Sequence, residues 1–429
     1  MKKRKNHLFW RKLDNSAKIF PMSTGKKYST VFRLSIVLKE NIQPDILKEA
    51  VISSLEKYNI YKVKLKAGLF WYYLEENSKE PIIEEEIDYP CKYINPKKNN
   101  DYLFKVTYFK NKINIDIFHA LTDGNGGIIF FKEIIYTYLE KCLPNELNLD
   151  NRIIKKIEYD VEDSYVKNYN KKISSNSPNN RAYELRGRKL KLGAISVIHE
   201  IIDIQSLKIE CEKYNATITQ YLTAVLIYSI YNENYKKTKP IKVCIPVNLK
   251  KYFPSKTMSN FFSYIMIVAN SKEQNLDCFD TIISLVKNEF KNKLADEEIL
   301  KTMSANVKLG NHILIKLIPL FLKNIIVRLS YLEIRKHSTI TYSNIGRVGI
   351  IGDYQNYIDY FLMLISPDSV EKIKCSSCTF GNKIVYTFTS ILNNNKIEKS
   401  FYEFLKNKGI DVKVESNGVL DDISTENIV

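Results

Sequence analysis

The order of hydrophobic and polar positions predicts strands and helices that alternate along the whole chain. Helical spacing of apolar residues predicts helices at 43–58, 126–142, 206–214, 217–234 and 397–409, and two or three more between 275 and 335. Short apolar or alternating runs predict strands at 29–38, 194–204, 240–249, 263–270, 339–342, 360–365, 372–379 and 384–392. The predicted class is therefore α/β or α+β with mixed sheets.

Two hairpins are predicted in the first part of the chain. The first spans residues 61–76 and turns around Gly68, and the second spans 102–120 and turns at 110–112. The outgoing strand of the second hairpin alternates between polar and apolar residues and ends just before His119. A strand fixes the backbone of such a residue, while the following loop exposes its side chain.

A polar segment rich in Ser, Asn and Lys interrupts this pattern at residues 165–191. It has the composition of a connection between two halves. A chain of 429 residues is long enough for two medium domains. We expect an N-terminal domain at 1–165, a linker at 166–191 and a C-terminal domain at 192–429.

The formal charge of +17 raises the question of nucleic-acid binding. The basic residues are spread evenly and mixed with acidic ones, without a basic run of five or a zinc-finger or RNP signature. No nucleic-acid partner is therefore predicted. A basic surface still suits an anionic ligand, such as a phosphorylated cofactor or an acidic carrier protein.

Seven cysteines, an odd number, favour reduced thiols and a cytoplasmic location. The basic N-terminus is followed by no apolar core, so no signal peptide is predicted. The most hydrophobic stretch, 312–329, contains Lys316, Lys323, Arg328 and Pro319, and is too short and too charged to span a bilayer. A buried or half-buried helix is the first interpretation, and a helix on a membrane surface is the alternative.

The stretch FHALTDGNGG at 118–127 carries the strongest chemical signal. An imidazole with a pKa of about 6.5 accepts a proton near neutral pH, as a general base must. Asp123 either pairs with a cation or caps the next helix. The three glycines that follow permit a sharp turn and a close approach of a ligand to the backbone. The plainer interpretation is a structural or solvated histidine.

Other chemistries find little support. The CSSC stretch at 375–378 lies in a predicted strand, without a second CxxC or a nearby histidine, so no metal site is predicted. The chain has no P-loop and no GxSxG elbow, and GNGG lacks the spacing of a dinucleotide fingerprint.

The HALTDG stretch resembles the HxxxDG motif of the CoA-dependent acyltransferase superfamily. This group includes chloramphenicol acetyltransferase and the condensation domains of nonribosomal peptide synthetases. Further stretches resemble its bacterial alcohol-acetyltransferase-like branch, and they lie in order along the chain at 9–21, 68–75, 245–262 and 341–349.

The resemblance implies two chloramphenicol-acetyltransferase-like domains related by a pseudo-two-fold axis, with an active-site tunnel between them. A monomer follows, because one double-length chain supplies both walls. It implies that His119 is the base in acyl transfer, most simply from acetyl-CoA to a small alcohol or amine, without a bound cofactor. Asp123 would hold the loop by an ion pair, and Gly124 would keep the tunnel open.

The resemblance also implies roles in the second half. Ser343 and Asn344 are candidates for oxyanion or substrate contact, although a strand-to-turn connection explains them equally well. Pro246 and Asn248 either shape the tunnel mouth or end a strand. Asp14 is a poor catalytic candidate. The cationic partner of Asp123 stays open among four residues, Arg33, Lys62, Lys64 and Arg347.

Two other functions remain open. In one, the acyl donor is bound to a carrier protein, as in a condensation enzyme of natural-product biosynthesis. In the other, the chain is a degenerate module that binds a ligand in the tunnel without catalysis.

Overall fold

The computed structural model describes residues 9–25, 28–144, 147, 160–170, 180–233, 239–311 and 313–420. The strands are β1 (Trp10–Lys12), β2 (Val31–Leu38), β3 (Val63–Ala67), β4 (Tyr72–Glu76), β5 (Ile83–Glu85), β6 (Phe104–Phe109), β7 (Lys112–Phe118), β8 (Ser196–Asp203), β9 (Ile241–Asn248), β10 (Phe262–Ala269), β11 (Ile340–Arg347), β12 (Ile358–Ile365), β13 (Ile373–Phe380), β14 (Lys383–Ser390) and β15 (Val412–Ser416). The helices are α1 (Ile19–Ser23), α2 (Pro44–Lys57), α3 (Gly124–Cys142), α4 (Ser164–Asn168), α5 (Ile204–Lys213), α6 (Ile218–Asn232), α7 (Phe279–Lys293), α8 (Asp296–Asn311), α9 (Ile313–Leu317), α10 (Leu320–Arg335) and α11 (Lys396–Asn407).

These elements confirm the predicted mixed α/β class. Both predicted hairpins form, since β3 pairs with β4 and β6 pairs with β7, each antiparallel. The pattern missed three short strands, β1, β5 and β15, whose residues are largely polar or lie at sheet edges. The region between 275 and 335 holds α7, α8, α9 and α10 rather than two or three helices.

The strand that leads to His119 lies in the middle of a five-stranded sheet of order β12-β2-β7-β6-β5. β7 pairs with β2 on one side and with β6 on the other, and most of its residues are buried. Helix α2 packs against α3, and α3 also contacts β2. The end of β7 is therefore held from several directions.

A seven-stranded sheet of order β10-β9-β11-β13-β14-β8-β15 forms the other large layer. Its central strands β11 and β13 are parallel, and most of its other pairs are antiparallel. Helix α6 contacts α7 and α11, and the three cover an apolar cluster over this sheet. The third sheet, β1-β4-β3, has three strands.

Strand β12 connects the two large sheets. It follows β11 along the chain, yet it pairs antiparallel with β2 over Ile358–Ile365 and extends the sheet that contains β7. Its residues Phe361 and Met363 belong to the same apolar cluster as Phe32 and Phe131. The two halves of the chain therefore share a hydrophobic core.

The predicted division of the chain stays a prediction. Part of the expected linker, 171–179, lies outside the described residues. Its described remainder, 180–191, has no helix or strand and forms one isolated bridge, between Lys189 and Leu392.

The CSSC stretch lies in β13, as expected. Cys375 and Cys378 are both buried, and they belong to different apolar clusters, so the two thiols point into separate cores. Burial raises the pKa of both thiols, that of Cys378 to about 12. Neither thiol is activated as a nucleophile or a metal ligand.

The hydrophobic stretch at 312–329 is not one continuous helix. α9 ends at Leu317, and Pro319 is the N-cap of α10. In the described part of the chain, no helix combines the length and the apolar character that crossing a membrane requires.

Candidate active site

His119 lies at the wall of a cavity of about 620 Å³ between the two large sheets. Its backbone N–H donates to the Thr30 carbonyl at 3.0 Å, and the next turn closes when Leu121 N–H donates to the Phe118 carbonyl. The side chain is half-buried and open to the cavity. A volume of this size is typical of a small-molecule site.

The five site residues predicted from the sequence line this one cavity. They come from both halves of the chain: His119, Asp123, Gly124, Ser343 and Asn344. Pro246 and Asn248 line it as well. Asn248 also accepts a hydrogen bond from Lys250 N–H at 3.0 Å, so it ends β9 and borders the cavity at the same time.

A side chain that the sequence analysis did not select, Asn260, fixes the imidazole. Its Oδ1 lies 2.9 Å from His119 Nδ1. Its Nδ2 donates to the His119 carbonyl and to Asp14 Oδ2, each at 3.0 Å. Since two acceptors hold the amide nitrogen, the amide oxygen faces the ring and accepts from Nδ1–H. This tautomer leaves Nε2 unprotonated, as a general base requires.

Asp14 anchors that amide and is buried. Its Oδ1 accepts from Ala17 N–H at 2.8 Å, and its Oδ2 also accepts from Asn260 N–H at 3.1 Å. Burial raises the pKa of Asp14 to about 6, and these hydrogen bonds oppose the rise. The carboxyl therefore stays mostly ionised at pH 7, where it holds Asn260 in place.

Three aromatic rings surround the imidazole. Phe20 stacks on it with ring centroids 4.7 Å apart, and Phe32 and Phe262 lie at 5.1 and 5.3 Å. Burial lowers the pKa of His119, whereas the hydrogen bond to Asn260 and the charge of Asp123 raise it. Burial is the largest of these effects, so the neutral, proton-accepting form predominates at neutral pH.

Asp123 holds the loop through backbone hydrogen bonds. It is the N-cap of α3, where its Oδ1 accepts from Gly126 N–H at 3.0 Å, and its Oδ2 accepts from Phe261 N–H at 2.9 Å. These two contacts tie the HALTDG loop to the segment that carries Asn260. Helix capping, one of the two roles considered for this residue, is thus observed.

The expected ion pair of Asp123 is not found within the described residues, and two of the four proposed cations, Arg33 and Lys64, form salt bridges elsewhere. Arg33 pairs with Asp116 and Glu86, and Lys64 pairs with Glu75. Arg347 donates to the Gly381 carbonyl. Backbone donors replace the cation because the loop packs directly against residues 258–261.

The glycines serve close packing more than turn geometry. An added Cβ at Gly126 would lie 2.0 Å from Thr122 Oγ1 and 2.6 Å from the Met258 carbonyl oxygen, which no real structure tolerates. At Gly127 it would lie 2.9 Å from Ile117 Cδ1. At Gly124 it would meet only flexible side chains of the cavity wall, Ile345 at 3.4 Å and Met363 at 3.9 Å.

Ser343 and Asn344 differ in what their side chains do. Asn344 Nδ2 donates to Thr219 Oγ1 at 2.9 Å, and its Oδ1 accepts from Gly346 N–H at 2.8 Å. These bonds favour the strand-to-turn interpretation for Asn344. The Ser343 hydroxyl forms no hydrogen bond with the described chain and lines the cavity, so it is the stronger oxyanion candidate.

One end of the cavity is charged. Arg335 forms salt bridges there with Asp368 and Glu371, and Lys374 lies 3.5 Å from Asp368. Among the described residues, no group of three or more His, Cys, Asp or Glu side chains is placed to hold a metal ion.

Sequence reasoning missed Asn260 and undervalued Asp14, and for different reasons. Asn260 is 141 residues from His119, so no local spacing connects them. The stretches around both, 9–21 and 245–262, were already singled out by their resemblance to one acyltransferase branch. That resemblance was the available signal.

The model is similar to solved structures of acetyltransferases and condensation domains. It matches the trichothecene 15-O-acetyltransferase TRI3 of Fusarium sporotrichioides with a TM-score of 0.61 and 9% identity, covering 95% of this chain and 96% of that one. TRI101 of the same fungus, solved with coenzyme A and T-2, matches with 0.61 and 9%, covering 95% and 99%. The first condensation domain of the CDA synthetase matches with 0.60 and 9%, covering 93% and 96%.

These similarities confirm the predicted fold. They extend over nearly the whole length of both chains in each pair. No family model matches the sequence, and no curated protein matches it either.

Proposed function

We propose that this protein is an acyltransferase that moves an acyl group from a CoA thioester to a hydroxyl group, with His119 as the general base. The observation that carries the proposal is the hydrogen-bond chain from Asp14 through Asn260 to His119 Nδ1. It sets the tautomer that a base needs, in a histidine that lines a cavity. The fold supports it, because similar structures include acetyltransferases and one with bound coenzyme A.

In the proposed reaction, His119 Nε2 takes the proton of the acceptor hydroxyl as its oxygen attacks the thioester carbonyl. The tetrahedral intermediate collapses by breaking the carbon–sulfur bond, and the thiolate receives the same proton from Nε2. Asn260 Oδ1 accepts from Nδ1–H throughout and thereby stabilises the transient imidazolium. The negative charge of Asp123 acts in the same direction.

The negative oxygen of the intermediate needs a hydrogen-bond donor, and we assign this role to the Ser343 hydroxyl. It projects into the same cavity as His119 and its hydrogen is not committed elsewhere in the described chain. Removal of one oxyanion donor costs about 2.7–4 kcal/mol in known enzymes. Asn344, held by Thr219 and Gly346, would shape the wall that presents Ser343.

The aromatic surroundings of His119 also contribute to the proposed catalysis. Phe20, Phe32 and Phe262 exclude water from one side of the ring, which protects the thioester from hydrolysis. The cavity holds donor and acceptor together, so the reaction gains from proximity as well as from the base.

The test is thiol release from mixed acyl-CoAs in the presence of alcohol and amine panels, with products identified by mass spectrometry. We expect His119→Ala to lower the rate by at least about 10²–10⁴-fold, the usual contribution of a general base. Asn260→Ala should lower it by about 10²-fold, because the ring then loses its fixed tautomer.

Asn114→Ala is the matched control for the second variant. Asn114 is a buried asparagine of β7, the strand that leads to His119, and it bonds Ser35 and Glu86 rather than the His119 loop. Unchanged turnover in a folded His119→Ala variant would refute the base. Turnover only with acyl groups bound to a carrier protein would show that the carrier protein, and not CoA, is the acyl donor. No turnover with any donor and acceptor would favour a ligand-binding module.

A further inference from the structure

Helix α10 carries an exposed apolar face that the proposed chemistry does not use. Among the described residues, 21 large apolar side chains are exposed, and seven of them lie within the 18 positions 317–334. We call five of these the apolar face of α10: Phe321, Leu322, Ile325, Ile326 and Leu329. They are between 43% and 66% exposed. A concentration of this kind marks an interaction surface.

The opposite side of α10 is fixed to the protein. Leu320 N–H donates to the Leu69 carbonyl, and Lys323 Nζ donates to the Phe70 carbonyl, both at 2.9 Å. The Lys323 ammonium also lies 3.5 Å from the centre of the Trp71 ring. The apolar face is therefore held outward on a rigid support rather than on a loose helix.

The charges around this face are of one sign. The chain has no Asp or Glu between Glu298 and Glu333, and five cations lie in that interval. Two of them, Lys316 and Arg328, are exposed, and Arg328 lies in α10 within the span of the apolar face. Glu333, the next acid, pairs with Arg181 and Lys336. A helix with an apolar face flanked by cations suits the boundary of an anionic lipid layer.

A second copy of the chain fits this surface less well. In a symmetric dimer the same patch meets itself, so the interface would bring together two copies of each cation near the patch, Lys316 and Arg328. Like charges across an interface disfavour association. Anionic lipid headgroups neutralise these same cations while the acyl region receives the apolar side chains.

The C-terminal end of α10 contributes to the wall of the cavity that contains His119. Tyr331, Ile334 and Arg335 of α10 line that cavity, and Ile334 is also exposed. One helix therefore carries both the apolar face and a part of the cavity wall.

We propose that α10 docks the protein on anionic membrane surfaces, lying along the lipid boundary with its apolar face. This placement suits an acyl acceptor that partitions into lipid, an inference that rests on the proposed function.

The proposal is tested by flotation of the full chain with vesicles of phosphatidylcholine alone and of phosphatidylcholine with phosphatidylglycerol. We expect binding to the anionic vesicles that weakens with salt. Ile325→Glu/Leu329→Glu should lower the partition coefficient at least about tenfold. Lys316→Gln/Arg328→Gln should lower it by about tenfold on anionic vesicles.

Ile87→Glu/Leu192→Glu is the matched control, because both side chains are isolated and 88% and 89% exposed. It should bind vesicles like the unchanged chain. Sedimentation velocity accompanies the flotation. The proposal is overturned if the unchanged chain binds no vesicle, if the control loses binding equally, or if the chain is a dimer that Ile325→Glu/Leu329→Glu disperses. None of these readouts depends on turnover, so the membrane proposal and the proposed acyl transfer are tested independently.

Discussion

At the scale of single residues, the candidate site depends on how one imidazole is solvated and held. Aromatic rings lower the pKa of His119 by keeping water from the cationic form, and Asn260 partly opposes them. The balance favours a neutral ring with its free nitrogen toward the cavity. Asp14 is needed to hold that tautomer, because it accepts a hydrogen bond from Asn260 Nδ2 and so fixes the orientation of the amide. Asp14 itself does not line the His119 cavity.

This balance predicts the pH dependence of acyl transfer. The neutral ring is active and the lowered pKa protects it from protonation, so kcat/KM should be level through neutral pH. It should fall only on acidification below about 6.5, the ordinary imidazole value. In Asn260→Ala the residual activity should fall at a still lower pH, because the hydrogen bond that raises the pKa is gone.

The measurement is kcat/KM against pH for the unchanged chain and for Asn260→Ala, with a stability check at each pH. An acid limb centred above the ordinary imidazole value would contradict the assignment of His119 as the base. If the acid limb had the same midpoint in the two proteins, Asn260 would not be hydrogen-bonded to the ring.

At the scale of elements, the first turn of α3 packs closely against the segment 258–261. Asp123 caps the helix, and Gly126 lets its backbone approach the Met258 carbonyl. The Thr122 hydroxyl donates to that carbonyl at 2.6 Å. The helix start is thus bound to the segment 258–261, which also presents Asn260 to the histidine.

Two alanine substitutions in this turn should therefore have different effects, one on stability and the other on turnover. Gly126→Ala forces backbone apart and should lower the free energy of unfolding by about 3 kcal/mol. Gly124→Ala meets only the flexible ends of Ile345 and Met363 and gains helix propensity, so stability should change by less than about 1 kcal/mol. Its methyl group enters the cavity wall, so turnover should fall instead.

Urea unfolding and steady-state kinetics of the two variants check this. Gly124 and Gly126 control for each other, since both lie in the same turn. Equal stability losses would show that the contact with Met258 does not restrict the helix start.

At the scale of the whole molecule, the two large sheets are interlocked. β12 leaves the neighbourhood of β11, pairs with β2 in the sheet of β7, and the chain then returns through β13. Phe361 of β12 packs against Phe131 of α3 and Phe380 of β13. The cavity is therefore built between parts that share one core.

A shared core predicts a single cooperative unfolding transition. Phe361→Ala should lower the free energy of unfolding by about 3–5 kcal/mol and shift that transition as a whole. Phe109→Ala, on the same sheet but 42% exposed, is the control and should shift it far less. Differential scanning calorimetry measures the number of unfolding transitions. Two separate transitions in either protein would show that the halves unfold independently.

The sequence predicted most elements because their signals are local. The alternation in β7 and the helical spacing in α2, α3 and α6 describe faces that become buried. The strands β5 and β15 were not predicted, because edge strands contain many polar residues and so give a weak hydrophobic pattern. The break at Pro319 was visible in the sequence, yet the number of helices around it was not.

By itself the sequence determined the mixed α/β class, the hairpin that ends at His119 and the position of the glycines, since each follows from neighbouring residues. Only the tertiary structure decided which groups hold the imidazole and Asp123. Asn260, Asp14 and Phe261 N–H reach them across more than a hundred residues, through contacts that exist only once the core has closed. The physical reason is that periodicity records burial, whereas a hydrogen-bond partner is chosen by distance in space.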